Sequence, residues 1–163
     1  MALKPGVVCG EDYVALVNAC KEGGYALAAV NCVGTGSVNA VMEAAAKNNS
    51  DVIIQFSNGG TQFYAGAGME DAFQAKVLGA VSAAQHVHLL AEHYGICAVL
   101  HTDHANRKLV PWIDALVDHS EAYYKEKEKF DTIDKANKNY DLKSIDAQTY
   151  ASQVLPLTTP SWK

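Results

Sequence analysis

Long apolar runs are missing from this chain. No stretch reaches the roughly 18–20 residues that a membrane-spanning helix needs, and Pro5 interrupts the N-terminus before any secretory-type apolar run can begin. Clustered basic residues are missing too. With 13 Lys and Arg against 18 Asp and Glu, the net charge is −5, which points away from a nucleic-acid partner because phosphate backbones need grouped cations. The local pair Arg107-Lys108 suits a small anion, not a duplex. No Cys-x-x-Cys occurs: Cys9, Cys20, Cys32 and Cys97 lie far apart, as expected of reduced thiols in a cytoplasmic protein. Neither a His-Glu-x-x-His zinc motif nor an internal repeat is present.

What is there is the composition of a globular domain: 163 residues, 49% apolar and 19% charged. Tyr13, Leu16, Val17 and Cys20 are spaced as one face of a helix over Glu11 to Gly23, with Gly23-Gly24 as its stop. Tyr25 to Asn31 reads as a strand covered on both faces. Ser37 is expected to cap a helix that buries Val38, Val41, Met42 and Ala45. Asp51 to Phe56 is the clearest strand, and Ser57 to Gly68 a glycine-rich loop. A long helix from about Gln74 to Tyr94 follows, then a strand Ile96 to His101, then a helix opening at Pro111.

Strand and helix thus alternate three times, the signature of an α/β protein with a parallel sheet. From about residue 130 the pattern changes. Residues 131–163 are charged at first, then rich in Pro and Thr, and form a separate tail, either a capping helix or disordered.

Parallel α/β proteins build chemistry where strands end, so three segments stand out. His101-Thr102-Asp103-His104 closes the third strand. Alternation places His101 with Asp103 and Thr102 with His104, but at a strand end an adjacent Asp and His can reach one cavity. A neutral imidazole binds zinc, and a neighbouring carboxylate can move a proton; polar residues merely closing a strand fit the spacing as well. Phe56-Ser57-Asn58-Gly59-Gly60 offers exposed backbone N–H groups to an anion, or is a plain flexible turn. Asn31 can bond a substrate hydroxyl or a turn. His86, His88 and His93 on the long helix read as packed or solvated side chains, and Trp112, Tyr123 and Tyr124 as core.

Three stretches taken together resemble the start of class II, zinc-dependent fructose-bisphosphate aldolase. They are Ala29-Val30-Asn31-Cys32-Val33-Gly34-Thr35, Gln55-Phe56-Ser57-Asn58-Gly59-Gly60, and His101-Thr102-Asp103-His104 with Lys108-Leu109-Val110-Pro111-Trp112-Ile113-Asp114. The resemblance runs in order from about Lys4 to Tyr124. It implies a (β/α)8 barrel, of which residues 1–130 hold about three of the eight units. It also implies a dimeric glycolytic lyase that cleaves fructose 1,6-bisphosphate reversibly to dihydroxyacetone phosphate and glyceraldehyde 3-phosphate, with zinc as Lewis acid. Carried over residue by residue, His104 is a zinc ligand and Asp103 the acid/base at the cleaved bond. Ser57 holds the glyceraldehyde phosphate end, and Asn31 lines the site.

The chain departs from the family at Ala28, Ala67 and Ala105-Asn106, where a proline, a lysine and Cys-Ala are usual. The later histidine ligands, the proton-abstracting glutamate and the later phosphate loops have no match. Three strands alone also leave open edges and bare apolar faces. The isolated chain is therefore expected to show little or no aldolase activity, either as a non-catalytic relic that associates with another chain or as a sugar-phosphate-binding module.

Overall fold

The computed structural model describes residues 3–126; the tail expected over residues 131–163 lies outside the described residues. Four parallel strands form one sheet: β1 (Gly6–Val7), β2 (Ala29–Asn31), β3 (Val52–Gln55) and β4 (Cys97–His101), in the order β1-β4-β3-β2. Helices α1 (Gly10–Gly23), α2 (Thr35–Lys47), α3 (Asn58–Ala65), α4 (Ala72–Tyr94) and α5 (Val110–Glu126) connect and cover it. The α/β class with parallel strand–helix units holds, with one strand more than the alternation suggested. The addition, β1, is too short to carry a hydrophobic period. It pairs only with Cys97 and Ala98, through Gly6 N–H to Ile96 C=O at 2.9 Å and Val8 N–H to Ala98 C=O at 3.0 Å.

Alternation along the strands sorts the core into two layers. Val52, Ile54, Ala98 and Leu100 face α2, α4 and α5, where Val38, Met42, Val87, Trp112, Ile113 and Leu116 are fully buried against them. Ile53, Cys97 and Val99 face the other way, toward Val8 and α1's Leu16. All five residues of β4 are buried, because it has a strand on each side and a layer on each face. The bare second face expected of a few strands is thus partly covered by α1, and β4's outer edge is partly paired by β1.

Several boundaries differ from the sequence reading, each for a local reason. Gly24 takes a left-handed φ of 68° and its N–H bonds back to Cys20 and Lys21 carbonyls, so α1 ends as expected. Val17, however, is turned to solvent, while Leu16 and Cys20 form the buried face. The second strand is three residues, not seven, and it lies at a sheet edge with Ala29 and Asn31 exposed. A strand covered on both faces was the wrong expectation for Tyr25 to Asn31. Ser37 sits inside α2, whose N-cap is Gly34; its Oγ accepts from Val33 and Gly34 N–H, both at 3.2 Å. Asp51 takes part in joining strands, its Oδ1 accepting Cys97 N–H at 2.8 Å.

The largest difference is α3, a helix where a glycine-rich loop was expected. Two glycines near its start obscured the helical period. It crosses α4 closely at Gly79, where a Cβ would lie 1.8 Å from the Thr61 carbonyl oxygen. Gly79→Ala is therefore expected to destabilise the chain by about 1–3 kcal/mol or more, measured by urea unfolding. Gly59→Ala, with nothing within 4 Å of its Cβ, should be neutral or gain up to about 1 kcal/mol of helix propensity.

Burial, with Asp51 and Asp12 nearby, pushes the Cys97 thiol up to about 11 from an ordinary 9.0. A raised folded-state value means the unfolded chain loses this proton first. The stability it contributes is complete below pH 9 and is lost as pH rises toward 11. Unfolding curves of wild type and Cys97→Ala should converge or cross over that interval. A constant difference would contradict the assignment.

Candidate active site

Parallel pairing puts the ends of β2, β3 and β4 side by side. Asn31 is in register with Gln55, and Gln55 with His101, so the three side chains form a row on one face of the sheet. Gln55 Nε2 donates to Asn31 Oδ1 at 2.8 Å. Asn31 is exposed, Gln55 half-buried and His101 buried. Gln55 was not singled out in the sequence, although its parity with Asn31 and its place at the end of an apolar strand were visible there.

Beyond His101 the chain turns sharply away from the strand direction. Asp103 adopts a left-handed backbone, φ 64°, which ends the alternation expected to group His101 with Asp103. The turn is stitched by the side chains of its own sequence. Asp103 N–H donates to His101 Nδ1 at 3.1 Å, Thr102 Oγ1 donates to Asp103 C=O at 3.2 Å, and Asp103 Oδ1 accepts His104 N–H at 2.8 Å. Thr102 is buried, Asp103 half-buried and His104 exposed. His104 is thus exposed, while the carboxylate beside it is oriented by a backbone bond.

Ser57 is the N-cap of α3, its Oγ accepting Gly60 N–H at 3.1 Å. The hydroxyl hydrogen can still be donated, so capping and anion binding are compatible. A Cβ on Gly60 would lie 3.1 Å from Ser57 Oγ and 3.6 Å from Cys32 C=O, which brings the loops after β2 and β3 together. Asn31 and Ser57 therefore share one neighbourhood through Gln55 and Gly60. The Asp103-His104 turn is brought alongside by the β3–β4 pairing, with Phe56 N–H on His101 C=O at 2.7 Å.

Other candidates resolve as packed, hydrogen-bonded or solvent-exposed side chains. His86 Nε2 bonds Asn39 Oδ1 at 2.8 Å and the His88 ring sits 5.0 Å from that of Tyr123, while His93 is exposed. Trp112 is core, its Nε1 donating to Lys76 C=O. Tyr123 is half-buried rather than core. The Cys32 thiol is raised by burial, partly offset by its bond with Ser37, so it stays protonated at neutral pH and is a poor nucleophile. Ala28 leads into β2 with its carbonyl accepting Ile53 N–H, a bond that a proline in that place also permits. Ala105 is buried in the main core, and Ala67 is exposed.

Among the described residues no group of three or more His, Cys, Asp or Glu can hold a metal ion. A zinc site made by these residues alone does not fit, since catalytic zinc takes about three protein ligands. Ser57→Ala should cost about 1 kcal/mol through the lost cap, and Ser57→Thr much less. Equal stability of all three chains in urea would remove the capping role.

Comparisons with known proteins converge on one family. The family model for fructose-bisphosphate aldolase class-II matches residues 11–139. Fructose-bisphosphate aldolase class 2 of Escherichia coli is 54% identical over 124 residues, which is 75% of this chain and 34% of the relative. Fructose-bisphosphate aldolase of Borreliella burgdorferi is 48% identical over 129 residues, 78% of this chain and 36% of the relative. The crystal structure of the Campylobacter jejuni aldolase superposes with a TM-score of 0.72 at 53% identity, covering 76% of this chain and 35% of that one. The chain spans about a third of the length of these relatives, and its strand–helix units are those of part of an aldolase barrel. By sequence match and superposition alike, it belongs to the class II fructose-bisphosphate aldolase family.

Proposed function

We propose that this chain contributes the first part of a fructose-bisphosphate aldolase site, cleaving fructose 1,6-bisphosphate to dihydroxyacetone phosphate and glyceraldehyde 3-phosphate in glycolysis, in the cytoplasm. The observation that carries this is the Asp103-His104 turn, set out from the end of β4 by a left-handed backbone and local bonds. Asp103 takes the proton from the hydroxyl whose carbon becomes the aldehyde, and returns it in the condensation direction. Ser57 donates its free hydroxyl hydrogen to the phosphate of the glyceraldehyde half. Asn31, with its Oδ1 already accepting from Gln55, offers its amide N–H groups to the substrate.

His104 is one zinc ligand in this reading, and zinc when bound supplies Lewis-acid polarisation of the ketone. Its remaining ligands belong outside the described residues, as their donor set requires. The open edge of β2 and the uncovered part of the second sheet face are then closed by the rest of a barrel, joined to this chain or carried by a partner. A homodimer is part of the same reading.

One observation favours a second reading for the chain by itself: it spans about a third of its relatives. On its own it is non-catalytic, binding sugar phosphate weakly at most. The purified 163-residue chain should give no measurable cleavage with added zinc; turnover at an ordinary enzymatic rate would overturn this. Grafting residues 4–124 in place of the matching segment of the Campylobacter jejuni aldolase should yield an active, zinc-dependent enzyme. Asp103→Asn in that graft should lower kcat by about 100-fold or more. A folded graft with no activity, or full activity without Asp103, would contradict the proposed roles.

A further inference from the structure

Only two non-glycine residues among those described have positive φ, Asn49 at 47° and Asp103 at 64°. Asn49 follows the end of α2, where a left-handed residue closes helix carbonyls: its N–H reaches Ala46 C=O at 3.2 Å and Ser50 N–H reaches Ala45 C=O at 3.0 Å. Asp103 has no helix end to explain it. It follows a buried strand, where an extended conformation would carry the chain straight on.

One of the bonds that close the turn comes from a side chain two residues earlier. His101 is 3% exposed, in the same cross-strand row as Gln55, and its Nδ1 faces the Asp103 N–H at 3.1 Å. An acceptor atom of residue i bonded to the N–H of residue i+2 is the geometry by which Asn and Asp side chains fold loops. A ring nitrogen accepts only when unprotonated, so this bond requires the proton of neutral His101 to sit on Nε2. The carboxylate of Asp103 then closes the second half of the turn on His104 N–H.

We propose that His101 is a positioning residue. Its Nδ1 fixes the left-handed backbone of Asp103 and thereby aims the Asp103 carboxylate and the His104 ring out of the strand line. It does this without touching substrate or metal itself. The inference rests on the reading of Asp103 and His104 as reacting residues, and it assigns the reason they are presented together.

Nuclear magnetic resonance on the full chain tests it, without metal or substrate. In wild type the His101 ring is expected to carry its proton on Nε2, and Asp103 to show a strong intraresidue amide–α contact and a protected amide. His101→Leu should speed exchange of the Asp103 amide by about tenfold or more and abolish the positive-φ signature. His101→Asn, whose Oδ1 can accept the same N–H, should keep both. A proton on Nδ1 in wild type overturns the proposal, as does an unchanged Asp103 in His101→Leu or its loss in both variants. Where the leucine variant does not fold, the wild-type tautomer and the asparagine variant still decide. A graft that fails to turn over leaves these readouts standing, and a failed turn geometry leaves the graft assay standing.

Discussion

The β3–β4 ladder, extended past the strand by the 2.7 Å bond from Phe56 N–H to His101 C=O, is the constraint on which the site depends. Parallel register leaves no freedom of phase: a one-residue slip would exchange the faces of every side chain. Because Ile54 and Leu100 must face the helices, Gln55 and His101 must face the other side. Pairing of β2 to β3 then fixes Asn31 in the same row. The hydrophobic demand of the core thus sets the polar residues in line, and the turns after the strands do the rest.

Those turns use side chains as backbone ligands. Ser57 caps α3, Ser37 ties the loop into α2, and His101, Thr102 and Asp103 close the turn beyond β4. This arrangement has a chemical consequence. Each side chain spent on the backbone is held in a narrow range of positions, so a residue such as Asp103 is oriented before any ligand arrives. Under the proposed function, preorganisation of this kind lowers the cost of aligning Asp103 with a substrate hydroxyl.

Much of the fold was legible because its strongest signals are periodic. The β-branched run within Asp51 to Phe56 and the long apolar segment ending at Gly95 led directly to strand and helix, although the buried face of α4 runs through Val77, Ala80, Ala83, Val87 and Ala91. What was missed is short or side-chain driven. β1 has two residues, and α3 hides behind Gly59 and Gly60. The exposed setting of β2 depends on which strand lies beside it, a tertiary fact that no local pattern carries. At the candidate site, strand-end position drew attention to Asn31, Ser57, Asp103 and His104, and their expected roles came from the family resemblance. The left-handed turn at Asp103 and the bond between Gln55 and Asn31 needed three dimensions.

The described residues present one corner of a site rather than a closed one. Asn31 and the β2 edge face outward, and His104 has no neighbouring cluster of donors among them. Family membership is consistent with that openness, since the matched segment is about a third of each relative. The central claim is that His104 contributes to a zinc centre once the rest of a barrel surrounds it. Its most direct test is the metal content of the grafted aldolase after exhaustive dialysis, with and without His104→Ala. About one zinc per chain is expected in the graft, and its loss in the alanine variant. Undiminished zinc in a folded His104→Ala protein would contradict it.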